Sequence, residues 1–507
     1  VGSTDGSRVL VDSADLSGNL RSRTISGGGW SVLFRASEEI FGFAAGIAFA
    51  RLLAPSDFGM VAMVSLLMGF AHLLREFGLR TSLVQRAKVL EADLSTIFWY
   101  WLFAGTLLMI LFMLASGLIA DLFHQARLAP LAIVMSVGFI VSVPLATYQT
   151  ILTLEMRFLK LGSLQLAARV VGTTVGLAMA VNHGGVWALV VAAMCTELAN
   201  LAFLALSTRW PVGKGFSFGR LRSLMWFGGH YTLTHVLTYV SQSGDKFLIG
   251  RMLGETPLGL YRRAWMMMTM PWQSLTLSLW SALYRALSVM KDEEGRSQLA
   301  YLRICRWVQF VTLPLTLGMG AVAEPFTIGL YGEQWAGMVP VLRYLCVVGA
   351  IRCPISLAQL LYTSQGRPDL GLRMSVIDGA MTLVLSYLGL RLGGVMGLVY
   401  ANVAWNCIWL VPALGVPLSL IGLRFMHQLR DSAGILAAAV LMVLVVLLVS
   451  ESTLISNRHC LSQLFMLSAL GGVAYLMFAA CLRLSVLQEL RAELSVRGWK
   501  IFNRIFR

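Results

Sequence analysis

Apolar runs of about twenty residues recur along this chain from residue 30 to residue 483, and each is long enough to cross roughly 30 Å of hydrocarbon as a helix. Strands of a membrane barrel would be about half that length and would alternate in polarity. Fourteen spans are expected, near 30–53, 58–79, 96–118, 129–150, 162–181, 186–207, 224–249, 257–284, 307–330, 338–362, 373–391, 394–416, 433–450 and 461–482. With 57% hydrophobic and only 13% charged residues, no water-facing surface could be covered, so the expected fold is an all-α polytopic membrane protein.

A formal net charge of +15 suggests a nucleic acid only until the charges are placed. With the N-terminus cytoplasmic, about 27 Lys and Arg fall in the tails and loops of that side, while Arg51, Arg127, Arg251, Arg391 and Arg458 mark the other. The basic balance is a topology signal: both termini are expected in the cytoplasm, and no nucleic-acid partner is expected. Residues 1–27 have no leader-like apolar core and read as a disordered cytoplasmic tail.

The chain repeats itself. "ARLLAPSDFG" at 50–59 returns as "GRMLGETPLG" at 250–259, Pro144 and Arg157 return as Pro354 and Arg367, and "GGVWALV" at 184–190 returns as "GGVMGLV" at 393–399. The first twelve spans therefore read as a tandem duplication of six, related by a pseudo-twofold axis along the membrane normal. The expected domains are an N-lobe at 28–210, a C-lobe at 211–417, two additional spans within 418–483 and a basic amphipathic C-terminal helix at 484–507. In that last segment Leu487, Leu490, Leu494, Ile501 and Ile505 recur among Arg491, Arg497, Lys500, Arg504 and Arg507, a pattern suited to an anionic membrane surface.

Polar residues inside lipid-crossing helices are costly and face a partner or a hydrated space. In the seventh span Tyr231, His235, Tyr239, Gln242 and Lys246 form one helical stripe, with Thr234, Thr238, Ser241 and Asp245 beside it. Shifted by 200 residues, His235, Tyr239, Gln242 and Lys246 fall on Arg35, Glu39, Gly42 and Gly46 of the first span, with Glu38 adjacent. This coincidence points to a central hydrated cleft. Arg169, Arg262, Arg263 and Arg352 are further cations inside spans, and guanidinium groups suit bidentate capture of phosphate.

Plainer readings stand beside these. Arg35 with Glu38 or Glu39 has the spacing of an internal ion pair, and Lys246 beside Asp245 is close enough to one end to reach the interface. Arg169, Arg262 and Arg263 are also near span ends, whereas Arg352 is far from both. His72, Arg75 and Glu76 read as interfacial. No P-loop, dinucleotide fingerprint, HExxH or nucleophile elbow is present, the loops are too short for a catalytic domain, and the seven cysteines show no CxxC spacing. An enzyme is not expected, nor a bound cofactor or metal.

Three stretches, "GWSVLFRASEEIFGFAAGIAFARLLAPSDFGMVAMV", "FGLRTSLVQRAKVLEADLSTIFW" and "SGDKFLIGRMLGETPLGLYRRA", together resemble the polysaccharide transporter family of the multidrug/oligosaccharidyl-lipid/polysaccharide exporter superfamily, and within it the Wzx-type flippases of the colanic-acid kind. The resemblance implies a bacterial inner-membrane protein that moves undecaprenyl-diphosphate-linked oligosaccharide from the cytoplasmic to the periplasmic leaflet by alternating access, alongside membrane lipids, a polysaccharide polymerase and glycosyltransferases. In that setting Arg35, Lys246, Arg263 and Arg352 are candidates for diphosphate or acidic-sugar contacts. Tyr239, Gln242 and His235 are candidates for sugar contacts, and Glu38, Glu39 and Asp245 for coupling to H+ or Na+. The alternatives are a drug or metabolite antiporter of the same superfamily and a lipid II flippase.

Overall fold

The computed structural model describes residues 9–12, 20–84, 88–208, 215–289, 294–452 and 459–489. In chain order the helices are α1 (Leu20–Leu52), α2 (Pro55–Glu76), α3 (Leu79–Val84), α4 (Glu91–Leu114), α5 (Ser116–Leu122), α6 (Leu128–Ser136), α7 (Gly138–Leu154), α8 (Phe158–Val181), α9 (Val186–Ser207) and α10 (Phe218–Leu253). There follow α11 (Glu255–Val289), α12 (Glu294–Ala321), α13 (Ala323–Tyr331), α14 (Met338–Ser364), α15 (Pro368–Ser419), α16 (Phe425–Ser450) and α17 (Cys460–Cys481). Among the described residues nine helices are long and apolar enough to cross a membrane, and the pair α12 and α13, bent by 76°, adds a tenth. The helices outside that set include α1, α10 and α11, which hold Arg35, Glu38, Glu39, Asp245, Lys246 and Arg263; Arg352 lies on α14, within it. The protein is an all-helical, polytopic membrane protein.

One short departure from helix involves the expected N-terminal tail. Val9–Asp12 forms strand β1, paired antiparallel with strand β2, Lys88–Leu90. Two valines flank Leu10 in β1, and such side chains favour an extended chain. Helix α1 also begins ten residues ahead of the expected first span, at Leu20. The C-terminal helix expected at 484–507 lies beyond the described residues after Glu489, so most of its apolar and basic positions fall outside them.

The repeat written in the sequence is written again in the backbone. Gly185, before α9, has φ 53° and ψ −136°; Gly394, which breaks α15 into two helices, has φ 58° and ψ −143°. Both sit in the "GGV" echo and adopt a conformation that only glycine reaches cheaply. Likewise the Arg157 amide closes onto the Leu152 carbonyl at 2.9 Å, and the Arg367 amide onto the Tyr362 carbonyl at 2.7 Å, ending α7 and α14 in the same way. Pro144 and Pro354 lie inside those two helices.

Contacts divide the chain after Gly259 into two compact units. The repeat places the boundary between halves near 210; the contacts place it later because α10 packs against α2, α3 and α4. In the first unit Leu79, Leu83, Leu94, Ile97, Trp101 and Val143 form a core with Leu221 and Leu224 of α10. At the start of α10, Arg220 reaches Asp93 at 3.1 Å, and the Ser82 hydroxyl donates to the Leu224 carbonyl. Helices α8 and α9 form a close hairpin: a Cβ at Gly172 would stand 1.9 Å from the Thr196 hydroxyl, and one at Gly176 2.4 Å from the Ala192 methyl. Small residues let helices approach where lipid offers no hydrophobic drive between them.

In the second unit a core of Leu283, Tyr301, Cys305, Leu357, Leu361, Trp405 and Trp409 joins α11, α12, α14 and α15. Helix α16 packs along α12 and α17 along α16. Arg306 binds Asp431 at 3.3 Å, and Arg303 binds Glu489 at 3.0 Å, fixing the chain beyond α17 to α12.

Candidate functional site

The two echoed turns meet within the first unit. Helix α2 starts at Pro55 and α11 at Glu255, positions 200 apart, and proline suits the first turn because its missing N–H has no intrahelical partner there. A Cβ at Gly59 would lie 1.8 Å from the Glu255 carbonyl oxygen, and a Cβ at Gly259 2.0 Å from the Pro55 carbonyl oxygen. The contact is reciprocal: position 55 faces 259 and position 59 faces 255. The repeated glycines are thus the price of bringing two equivalent helix starts backbone to backbone.

Along α10 the predicted stripe is partly engaged. Lys246 Nζ is 3.1 Å from the Asp245 carboxylate and 2.6 Å from the Gln242 carbonyl, while Asp245 also accepts the Lys246 amide at 2.8 Å. Lys246 and Asp245, assigned separate roles by sequence, are therefore a pair. Both are largely buried, with side chains 12% and 3% exposed. The Tyr239 hydroxyl donates to the Leu66 carbonyl at 2.7 Å, in a recess where a Cβ at Gly69 would come within 2.4 Å of it. That hydroxyl holds α10 to α2. His235 and Gln242 are exposed.

On α1, Glu38 and Glu39 are half-buried, whereas the Arg35 side chain lies outside the described residues. The Arg169 guanidinium of α8 rests where a Cβ at Gly42 would stand, 2.7 Å from Nη2. Gly42 is the counterpart of Gln242, so a cation occupies the space that the shorter residue leaves.

The second unit places its two predicted arginines in different surroundings. Arg263 of α11 is buried, with its guanidinium 4.9 Å from the centre of the Tyr331 ring. Arg352 of α14 donates from Nε to Asn406 Oδ1 at 2.9 Å, approaches Asp378 at 3.9 Å and lies 5.7 Å from the centre of the Trp265 ring. Asp378 also accepts from Trp405 Nε1 at 2.9 Å. Sequence reasoning missed Asp378 and Asn406. An acid in the apolar run 373–391 was the available signal, but its partner comes from beyond the Gly393–Gly394 break. Arg262 is exposed.

Arg75, read from the sequence as interfacial, stands in the last turn of α2, is buried in the first unit, 8% exposed, and donates to the Phe139 carbonyl at 2.7 Å and to the Ser142 hydroxyl. Its guanidinium reaches α7 because α2 passes beside that helix, a proximity that linear distance from the span end does not reveal.

Lys246 on α10 and Arg352 on α14 therefore each stand beside a carboxylate. Pairing lowers the cost of holding the cation out of water. The Arg352–Asp378 approach at 3.9 Å is looser than a bidentate pair. Among the described residues no group of three His, Cys, Asp or Glu side chains has the arrangement of a metal site.

Known proteins give this arrangement its context. The chain is 24% identical over 385 residues to the lipopolysaccharide biosynthesis protein WzxC of Escherichia coli K12, covering 75% of this chain and 77% of that one. It is 26% identical over 469 residues to the succinoglycan biosynthesis transport protein ExoT of Rhizobium meliloti 1021, covering 91% and 94%. Its fold is similar to that of the lipid II flippase MurJ in an inward closed conformation, with a TM-score of 0.67 at 12% identity over 91% of this chain and 98% of that one. Residues 48–340, more than half of the chain, match the polysaccharide biosynthesis protein family, and the chain belongs to that family.

Proposed function

We propose that this protein flips undecaprenyl-diphosphate-linked oligosaccharide repeat units from the cytoplasmic to the periplasmic leaflet of a bacterial inner membrane by alternating access. The observation that carries the reading is the match of residues 48–340 to a polysaccharide biosynthesis family in a chain built of membrane-crossing helices. The relatives named for lipopolysaccharide biosynthesis and succinoglycan transport support a saccharide cargo. The chain is a transporter and not an enzyme.

In the first unit Lys246 is the cation best suited to diphosphate, releasing its carboxylate as the ligand arrives, and Arg35 is proposed with it; in the second unit Arg352 is suited in the same way, and Arg263 is proposed with it. His235 and Gln242, both exposed on α10, are suited to sugar hydroxyls. Transport runs on an H+ or Na+ gradient, both termini face the cytoplasm, and glycosyltransferases and a polymerase work before and after it. The family match favours this reading over a drug antiporter. It also favours it over a lipid II flippase, where the likeness is one of fold.

Deletion in the source bacterium tests it: surface polysaccharide should be lost while lipid-linked repeat units accumulate facing the cytoplasm. Unchanged polymer with drug hypersensitivity would refute it. Normal export from both Lys246→Met and Arg352→Gln would remove those two residues from the site.

A further inference from the structure

The most unusual polar group of the first unit lies outside the proposed cleft set. Glu197 is midway along α9, and its Oε2 is buried with no hydrogen-bond partner among the described residues. It faces the start of α7, 3.3 Å from the point where a Cβ at Gly138 would be. Arg75 reaches the other side of the same turn, donating to the carbonyl of Phe139, the next residue. Asn200, one helical turn along α9 and 9% exposed, has an Oδ1 that is equally buried and unpartnered, as is Arg75 Nε. Two orphaned polar atoms, Glu197 Oε2 and Arg75 Nε, thus belong to side chains that meet where α2, α7 and α9 come together, with the orphaned Asn200 Oδ1 one turn along α9.

Such a set is too costly to be packing alone. A buried polar atom without a partner costs about 1–3 kcal/mol, and more for a charged group. Arg75 and Glu197 lie within electrostatic reach, yet no direct ion pair joins them among the described residues. The carboxyl is compensated without being consumed.

We propose that Glu197 is a proton-binding carboxyl of the first unit, taking up one proton and releasing it in each transport cycle. This rests on the reading of the chain as a gradient-driven transporter. In the loading step an O–H bond forms at Oε2 as a hydronium ion becomes water; in the release step the proton returns to water on the opposite side. A proton suits the place better than a metal ion, which would need several oxygens, whereas the charged neighbour here is the Arg75 guanidinium and no group of three His, Cys, Asp or Glu side chains gathers among the described residues. Of the charged and titratable groups of α2, Arg75 faces Glu197, while His72 and Glu76 lie within electrostatic reach of Arg75. On α8, Lys160 is bonded to the Ser207 carbonyl and Arg169 lies against Gly42; on α7, Tyr148 packs with Leu145, Leu152 and Leu204.

Infrared difference spectroscopy of the full chain in liposomes, stepped between acid and alkaline buffer, tests this. The expected result is a protonated-carboxyl band that titrates in the wild type, vanishes in Glu197→Gln and persists in Glu38→Gln and Glu39→Gln. Glu197→Asp, which keeps the carboxyl, should retain a band at a shifted position and serves if the glutamine variant does not fold. An unchanged band in Glu197→Gln overturns the proposal, as does a band that responds to Na+ at fixed pH. So does undiminished pH-driven flipping of lipid-linked oligosaccharide by that variant. A titrating Glu197 band in a wild type that flips no such lipid would refute the cargo and leave the site standing.

Discussion

Replacing Gly59 by alanine would add one methyl where there is no room for it. The new Cβ would lie 1.8 Å from the Glu255 carbonyl oxygen and 2.5 Å from its carbon, so the backbones must part by roughly 1.6 Å to reach ordinary contact near 3.4 Å. Backbone faces backbone, and no rotamer change relieves the clash. A gap of only 0.5–1 Å already forfeits about a quarter to a half of the dispersion well of the atoms lining it, and overpacking of this kind costs about 1–3 kcal/mol. Gly259→Ala meets the Pro55 carbonyl oxygen at 2.0 Å and should cost about the same. The informative variant is the double one. One parting of the two helix starts makes room for both methyls, so the combined loss should fall short of the sum of the single losses by about 1 kcal/mol or more. Equilibrium unfolding of the purified protein in maltoside micelles titrated with dodecyl sulfate measures all three. Gly117→Ala is the control: nothing lies within 4 Å of its Cβ, and alanine there should gain up to about 1 kcal/mol of helix propensity. Strictly additive losses, or single losses no greater than that of the control, would refute the reciprocal crossing.

Three further outcomes follow from the geometry. Gly172→Leu should prevent α8 and α9 from closing, because the first added atom already meets the Thr196 hydroxyl at 1.9 Å; loss of monodisperse protein on size-exclusion chromatography would show it. Lys246→Met should cost at most about 3–5 kcal/mol by removing the ammonium beside the buried Asp245 carboxylate, and Lys246→Met with Asp245→Asn should recover part of that loss in the same unfolding assay. Arg220→Met removes one partner of Asp93, but the Arg220 side chain is 37% exposed while Asp93 is 2% exposed, so water screens the pair and the loss should be only about 1 kcal/mol.

Much of the architecture is legible in the residue order. Run length gives helices that cross a membrane, because the hydrocarbon thickness fixes the number of apolar residues needed. The echo of 50–59 in 250–259 predicts equivalent turns, and the matched backbone at Gly185 and Gly394 follows from "GGV", since glycine is the residue that takes such angles without strain. The polar stripe of α10 follows from helical periodicity, which needs no knowledge of neighbours.

Tertiary structure decided which neighbours those residues meet. Periodicity puts Tyr239 and Lys246 on one face, but only the path of α2 turns the Tyr239 hydroxyl toward the Leu66 carbonyl. Arg352 stands out in the sequence as a cation far from either span end, yet its partners Asp378 and Asn406 come from two sides of a helix break. Arg75 and Glu197, 122 positions apart, share no local pattern, and the turn at Gly138 brings them together. The physical reason is common to all three: hydropathy and helical period act over neighbouring residues, whereas the partner of a buried charge is chosen by the crossing of helices far apart in the chain.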